Sequence, residues 1–248
     1  MNSFECAFAA GLEVVEKIRK TQRQAICDAA CKIASAHAQG KTFYVSGSGH
    51  SHSVAEEFYG RAGGLAFTVP IMTSELTLTE HPTKSTFIER LEGYASILAE
   101  LYKISEGDVV LIASNSGRNA YPVELALEAK KRGAYVIALT CMEHTQQVTS
   151  RHSSGKRLFE VADIVIDTCG KVGDAATYLE GVDVPVIPTS SMANAFIVAA
   201  LSAEIVTWLK AHQQPIEVFV SANIDGGYEK NEAYMEKYCR MYRKKEEK

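Results

Sequence analysis

Two stretches decide the fold: TFYVSGSGHS at residues 42–51 and VVLIASNSGRNAYP at residues 109–122. Each opens as an apolar run of strand length and ends in a Gly/Ser turn that feeds a helical pattern. An apolar run without polar alternation is a strand covered on both faces, as in a parallel sheet between helix layers. Working outward, residues 66–71, 134–140 and 163–168 read as further strands, and 184–187 as a short sixth. Helical stretches fall between them at 51–61, 86–101, 122–132 and 190–212, with a helix or loop at 145–161. Residues 3–39 hold two more, with apolar faces Phe8, Leu12, Val15, Ile18 and Ile26, Ala30, Ile33, Ala34. Gly40 and Gly133 stand where helices end, and Pro122 in the first turn of one. The alternation predicts an α/β protein with no internal repeat and no Pro/Gly/Ser-rich linker.

Composition narrows the function classes. The 248 residues are 46% apolar and 23% charged, enough for a packed core. Lys and Arg number 26 against 30 Asp and Glu, a net charge of −4 that argues against a nucleic-acid partner. Glu5 stands where a signal peptide would be basic, so the N-terminus reads as mature structure and the compartment as cytoplasmic. Residues 184–203 carry no charge, but Pro185, Pro188, Thr189 and Asn194 make them a strand end, a loop and a buried helix, not a membrane span. Six scattered cysteines without a CxxC read as reduced thiols. Cys27 and Cys31 share a helix face; small buried hydrophobes explain them more simply than a metal site.

In a parallel sheet, ligands bind at the carboxyl ends of the strands, near the point where strand order reverses. Three polar turns belong there. In the first, Gly47, Ser48, Gly49, His50 and Ser51, glycines admit a ligand to the backbone and a helix start offers N–H groups. His52 stands where a dinucleotide fingerprint needs glycine, and no GxxxxGK[ST] is present, so no NAD, nucleotide or other cofactor is expected. The second turn is Ser114, Asn115, Ser116, Gly117, Arg118 and Asn119; the third is Thr189, Ser190 and Ser191. A tight strand-to-helix turn is the alternative reading of the first, and a helix cap explains one polar residue in each of the other two. The surplus of neutral donors suits a phosphate oxygen.

Acid–base candidates are fewer. Glu204 is the only charge between Ala195 and Leu209. It reads either as a buried general base or as a carboxylate paired with a basic residue in a subunit interface. Glu56 and Glu57 follow the first turn closely enough to reach a pocket, or form a solvated helix face. Glu89 and Glu92 lie one helical turn apart, so one helix face could present both, although surface decoration is the simpler reading. His50, within the first turn, suits a proton shuttle or a bond to a sugar hydroxyl. His50 and His52 lack a third metal ligand, and no metal is expected. Asn223 and Asp225 either line the pocket or serve turn chemistry.

On the Gly47–Ser51, Ser114–Asn119 and Thr189–Ser191 turns, the sequence resembles a sugar isomerase (SIS) domain protein. More narrowly, it resembles a bacterial group of SIS proteins of about this length, often described as phosphosugar or phosphoheptose isomerases. The strings that carry this are GSGHSHSVAEEFYGRAGGL, RLEGYA, SRHSSGKRLFEVADIVIDT with a later Gly173-Asp174-Ala175, and SANIDGG. The resemblance implies a three-layer αβα sandwich, flavodoxin-like, with a five-stranded parallel sheet. It implies N-terminal helices (1–40) packing on the domain or a dimer partner, an SIS domain (41–228) and a charged C-terminal helix or tail (229–248). It implies a phosphosugar whose phosphate is held by Ser51, Ser114, Asn115, Ser116 and Asn119, and a homodimer or homotetramer. Glu204 takes a place similar to the glutamate proposed as base in the isomerase domain of glucosamine-6-phosphate synthase. The second acid of the N-acetylmuramic acid 6-phosphate etherases falls at Ala95, which argues against an etherase reaction. No metal set of the zinc-dependent heptose isomerases maps onto the chain.

Two function classes stay open. One is an aldose–ketose isomerase with Glu204 or Glu57 as base and His50 as ring-opening or shuttling group. The other is a non-catalytic sugar-phosphate sensor, as SIS domains are in transcriptional regulators and a kinase regulator. No helix-turn-helix precedes residue 40, so a sensor's partner would be a protein.

Overall fold

The computed structural model describes residues 2–239. Helices α1 (Ser3–Thr21) and α2 (Arg23–Ala38) lead into β1 (Phe43–Gly47). A 3-10 turn at Gly49–His52 passes into α3 (Ser53–Phe58) and then β2 (Thr68–Ile71). The predicted helix over 86–101 is two pieces, α4 (Lys84–Ile88) and α5 (Tyr94–Leu101), because Gly93 between them takes φ 92°. Next come β3 (Val109–Ala113), α6 (Ala120–Lys131), β4 (Tyr135–Thr140), α7 (Met142–Thr145) and β5 (Ile164–Asp167). Residues 146–163 are loop except for a 3-10 turn at Leu158–Glu160.

Strands β1 to β5 form one parallel sheet in the order β2-β1-β3-β4-β5. The chain leaves β1 to one side for β2 and builds on the other side from β3 onward. The reversal therefore falls between the carboxyl ends of β1 and β3. Alternate residues feed two cores, as an unalternating apolar run requires. Phe43, Val45, Leu111 and Leu139 pack with α1, α2, α3 and a long C-terminal helix; Tyr44, Val110, Ile112 and Ala138 pack with α5 and α6.

The predicted sixth strand lies outside this sheet. It is β7 (Val186–Pro188), antiparallel to β6 (Ala175–Thr177). Helix α8 (Ser190–Ala211) follows and packs on α2, α1 and α3. It is less covered than the sequence predicts: its most apolar window has mean hydropathy 1.6 and is 39% buried. Helix α9 (Gly227–Cys239) occupies the start of the predicted charged segment 229–248, and residues 240–248 lie outside the described ones. It docks through Tyr238 and Lys237, which donate to the Glu217 carboxylate, and through Asn231, whose side chain bonds both main-chain groups of Val220.

Candidate functional site at the carboxyl edge of the sheet

The turn after β1 is built against its neighbours before any ligand enters. The buried Ser46 hydroxyl donates to the Ile71 carbonyl at 3.0 Å and meets the Tyr121 hydroxyl at 2.6 Å, tying β1 to β2 and α6. Burial holds the Tyr121 phenol above its ordinary pKa, so it stays neutral. Gly47 is obligatory: a Cβ there would lie 2.3 Å from the Ser51 carbonyl oxygen. Gly49 takes φ 56°.

The turn after β3 is equally constrained. Ser114 Oγ accepts the Gly117 N–H at 3.2 Å, and Gly117 takes φ 58°. A Cβ at Gly117 would press on Thr140 and Thr145 Oγ1, each at 3.2 Å. Asn115 and Ser116 are partly exposed, and no hydrogen bond among the described residues takes their main-chain N–H groups. Asn119 precedes α6 in the N-cap position but does not cap it.

Its side chain instead joins a chain of bonds across the strand-order reversal. Glu89, just past α4, accepts from Ser48 Oγ at 2.5 Å and from Asn119 Nδ2 at 2.7 Å. Arg151 Nη1 donates to Asn119 Oδ1 at 2.9 Å. The Glu89 main chain is fixed too: its carbonyl accepts the Tyr121 N–H and its N–H donates to Ser85, both at 2.9 Å. Burial raises the Glu89 pKa, against the Ser48 hydrogen bond and the charges of Arg90 and Arg151. Partial desolvation, with Arg118 and Arg90 nearby, lowers that of Arg151. The predicted turns after β1 and β3 thus meet through a half-buried carboxylate beside a group of guanidinium ions.

The third turn stands beside the ends of β4 and β5. Thr189 is buried next to Gly170, Cys141 and Thr168, and its hydroxyl has no partner among the described residues. The predicted hydroxyl cap is absent. Asp174 caps α8 instead, accepting from the N–H groups of Thr189 and Ser190 at 3.1 and 2.9 Å and from Ser190 Oγ at 2.6 Å. Ser191 is exposed. Burial and the charge of Arg118 lower the pKa of His144 on α7, against the charge of Asp174. The His144 Nδ1 is buried without a partner among the described residues.

None of the three predicted acid–base residues hydrogen-bonds or ion-pairs with this cluster among the described residues. Glu204 is exposed, not buried, and lies roughly 20 Å along α8 from the helix start at 1.5 Å per residue. It shares a cavity of about 510 Å3 with Arg19, Arg23 and Phe196. Glu57 pairs with Arg61, and both line a groove of about 900 Å3 against α8. His50 is exposed, and its carbonyl accepts from Ser53. His52 Nε2 lies 3.3 Å from Glu56, and no group of three or more potential metal ligands occurs among the described residues.

Arg151, His144 and Asp174 carry no site reading from the sequence alone, and Glu89, an acid–base candidate there, reads most simply as surface decoration. Gly93 is a local signal for the helix break, but no spacing in the sequence places Glu89 beside Asn119, thirty residues on.

Residues 8–141 match the SIS domain family model. A UPF0309 protein, BH3325, of Halalkalibacterium halodurans is 43% identical over 92% of this chain and 94% of its own length. Among solved structures, a phosphoheptose isomerase from Neisseria gonorrhoeae superposes with TM-score 0.53 at 18% identity, covering 81% of this chain and 95% of that one. The Vibrio vulnificus NanR protein, solved in complex with ManNAc-6P, superposes with TM-score 0.50 at 13% identity, covering 97% and 68%.

Proposed function

The chain belongs to the SIS domain family, within its UPF0309 group, and from that premise we infer that it binds a phosphosugar and isomerises it between aldose and ketose forms. The observation that carries the reading is the meeting of the turns after β1 and β3 at the strand-order reversal, with free N–H groups at Asn115 and Ser116. These N–H groups, with Ser51, Ser114, Ser116 and the start of α6, form the phosphate cradle. Ser48 and Asn119 spend donors on Glu89 and shape the cradle's edge. Gly47, Gly49 and Gly117 let the backbone approach. Thr189, Ser190 and Ser191 serve the far end of the ligand. The ligands and names of the structural neighbours, phosphoheptose and ManNAc-6P, are consistent with this class.

The protein acts in the cytoplasm as a homo-oligomer. Phe8 and Leu12 of α1 and Phe196 of α8 are exposed by 57%, 66% and 58%, and they share a cavity of about 470 Å3. Charges of both signs flank this strip, Arg19 and Arg23 with Glu204, and Glu57 with Arg61. A second copy of the same surface matches such a mixed rim. In that arrangement Glu204 serves the interface, or a site completed by the partner.

The second reading is a sugar-phosphate sensor acting on a protein partner. What favours it is the position of Glu204 and Glu57, which line other cavities rather than the Glu89 cluster. A thermal-shift screen of hexose, hexosamine and heptose phosphates tests the shared premise. A ligand at 100 times its Kd stabilises the fold by about 2.7 kcal/mol. No shift with any phosphosugar or with inorganic phosphate refutes both readings; a shift without turnover on a broad panel selects the sensor.

A further inference from the structure

We propose that Glu89 carries the proton between C1 and C2 of the bound sugar, with Ser48 and Asn119 positioning its carboxyl group. The proposal rests on the isomerase reading and names the group that reading lacks. An aldose–ketose isomerase needs one base within reach of two adjacent carbons, near the phosphate anchor and partly shielded from water. Among the acids near the reversal, Glu89 meets these demands. Glu56 and Glu57 pair with His52 and Arg61, and Glu92 holds the Ser153 N–H and hydroxyl. Glu89 forms no ion pair within 4.0 Å among the described residues, and its close partners are two neutral donors, one from each predicted turn.

Those donors also fix its orientation. Ser48 takes Oε2 and Asn119 takes Oε1, while Arg151 holds the Asn119 amide by its oxygen. This explains why Asn119, at an N-cap position, leaves α6 uncapped. A cap would turn the side chain away from Glu89.

The step balances without a co-reactant. The Glu89 carboxylate removes the C2 proton of the open-chain aldose, the C2–H electron pair becomes the C1=C2 bond, and the carbonyl pair moves to O1, which takes a proton from solvent. Glu89 then returns its proton to C1 as O2–H releases its own to solvent and the C2 carbonyl forms. The oxidation at C2 offsets the reduction at C1.

The test is hydrogen exchange at C2 in deuterated water, followed by proton NMR with the phosphosugars that stabilise the wild type. For Glu89→Gln, exchange is expected to fall by roughly 10²- to 10⁴-fold while the thermal shift with the same sugar persists. Ser48→Ala removes a donor to the carboxylate, so the acidic limb of kcat/KM is expected to move to higher pH; Arg90 and Arg151 are the charged groups facing Glu89 in either form. A purely structural role would leave that limb in place. Wild-type exchange rates in Glu89→Gln, or a wild type that binds phosphosugars without exchange, overturn the role of Glu89. A wild type that binds no phosphosugar overturns the reading beneath it.

Discussion

Glu89 shows at the scale of one residue how function sets itself against stability. Its pKa is raised in the folded chain because burial disfavours the carboxylate more than Ser48, Arg90 and Arg151 favour it. Such a group supports the fold fully below the ordinary carboxylate pKa, and that support is lost as pH rises through the raised value. At neutral pH Glu89 therefore costs stability, and Glu89→Gln is expected to raise the melting temperature at pH 7. The gain should vanish below the ordinary carboxylate range. Melting curves of both proteins between pH 4 and 8 check this; an equal or lower melting temperature for the variant at pH 7 would show that the carboxylate's partners outweigh its desolvation. Residue chemistry was legible in the turns at 47–51 and 114–119 as far as the backbone goes, where Gly47, Gly49 and Gly117 stand at a close approach or a positive φ. It was not legible at Glu89, because a carboxylate's value depends on what the fold places around it, and Asn119 and Glu89 are thirty positions apart.

At the scale of elements, sequence periodicity located β1, β3 and the long helix well, but assigned the start of that helix to the wrong cap. Three hydroxyls at 189–191 suggested self-capping, whereas Asp174 reaches in from sixteen residues earlier to take both N–H groups and the Ser190 hydroxyl. Side-chain caps from a distant loop leave no local spacing to read. Removing this one is expected to destabilise the fold by about 1 kcal/mol, the usual loss when a capping oxygen is deleted. Asp174→Ala should therefore shift the urea midpoint downward, and Asp174→Asn, which keeps one acceptor, should recover much of the difference. A Ser190→Ala change that costs as much as Asp174→Ala would return the cap to the hydroxyl. The same limit explains the helix predicted over 86–101. Its apolar positions continue past Gly93, but the left-handed conformation there breaks the ladder into α4 and α5 and turns Glu89 toward the sheet edge.

At the scale of the whole molecule, unalternating strands established that both sheet faces are covered, and Phe43 and Tyr44 do face separate cores. They carried no information on how completely the outer layer is itself covered. An apolar helix looks the same in sequence whether its own chain or a second copy packs on it. Helix α8 is covered on one side by α2, leaving Phe196 beside Phe8 and Leu12 on the other. Exposed aromatic residues in the middle of an apolar strip behave as interface anchors, whose loss costs about 2 kcal/mol or more. By the usual conversion that weakens association by roughly 30-fold. Phe196→Asp adds a charge to desolvate and should do at least as much. We expect the wild type to sediment as an oligomer at micromolar concentration and Phe196→Asp as a smaller species with an unchanged far-ultraviolet dichroism spectrum. The apolar strip would then be an intersubunit surface, with Glu204 and the Arg19–Arg23 pair at its rim. A monomeric wild type would leave α8 bare in solution and remove the argument for a site shared between subunits.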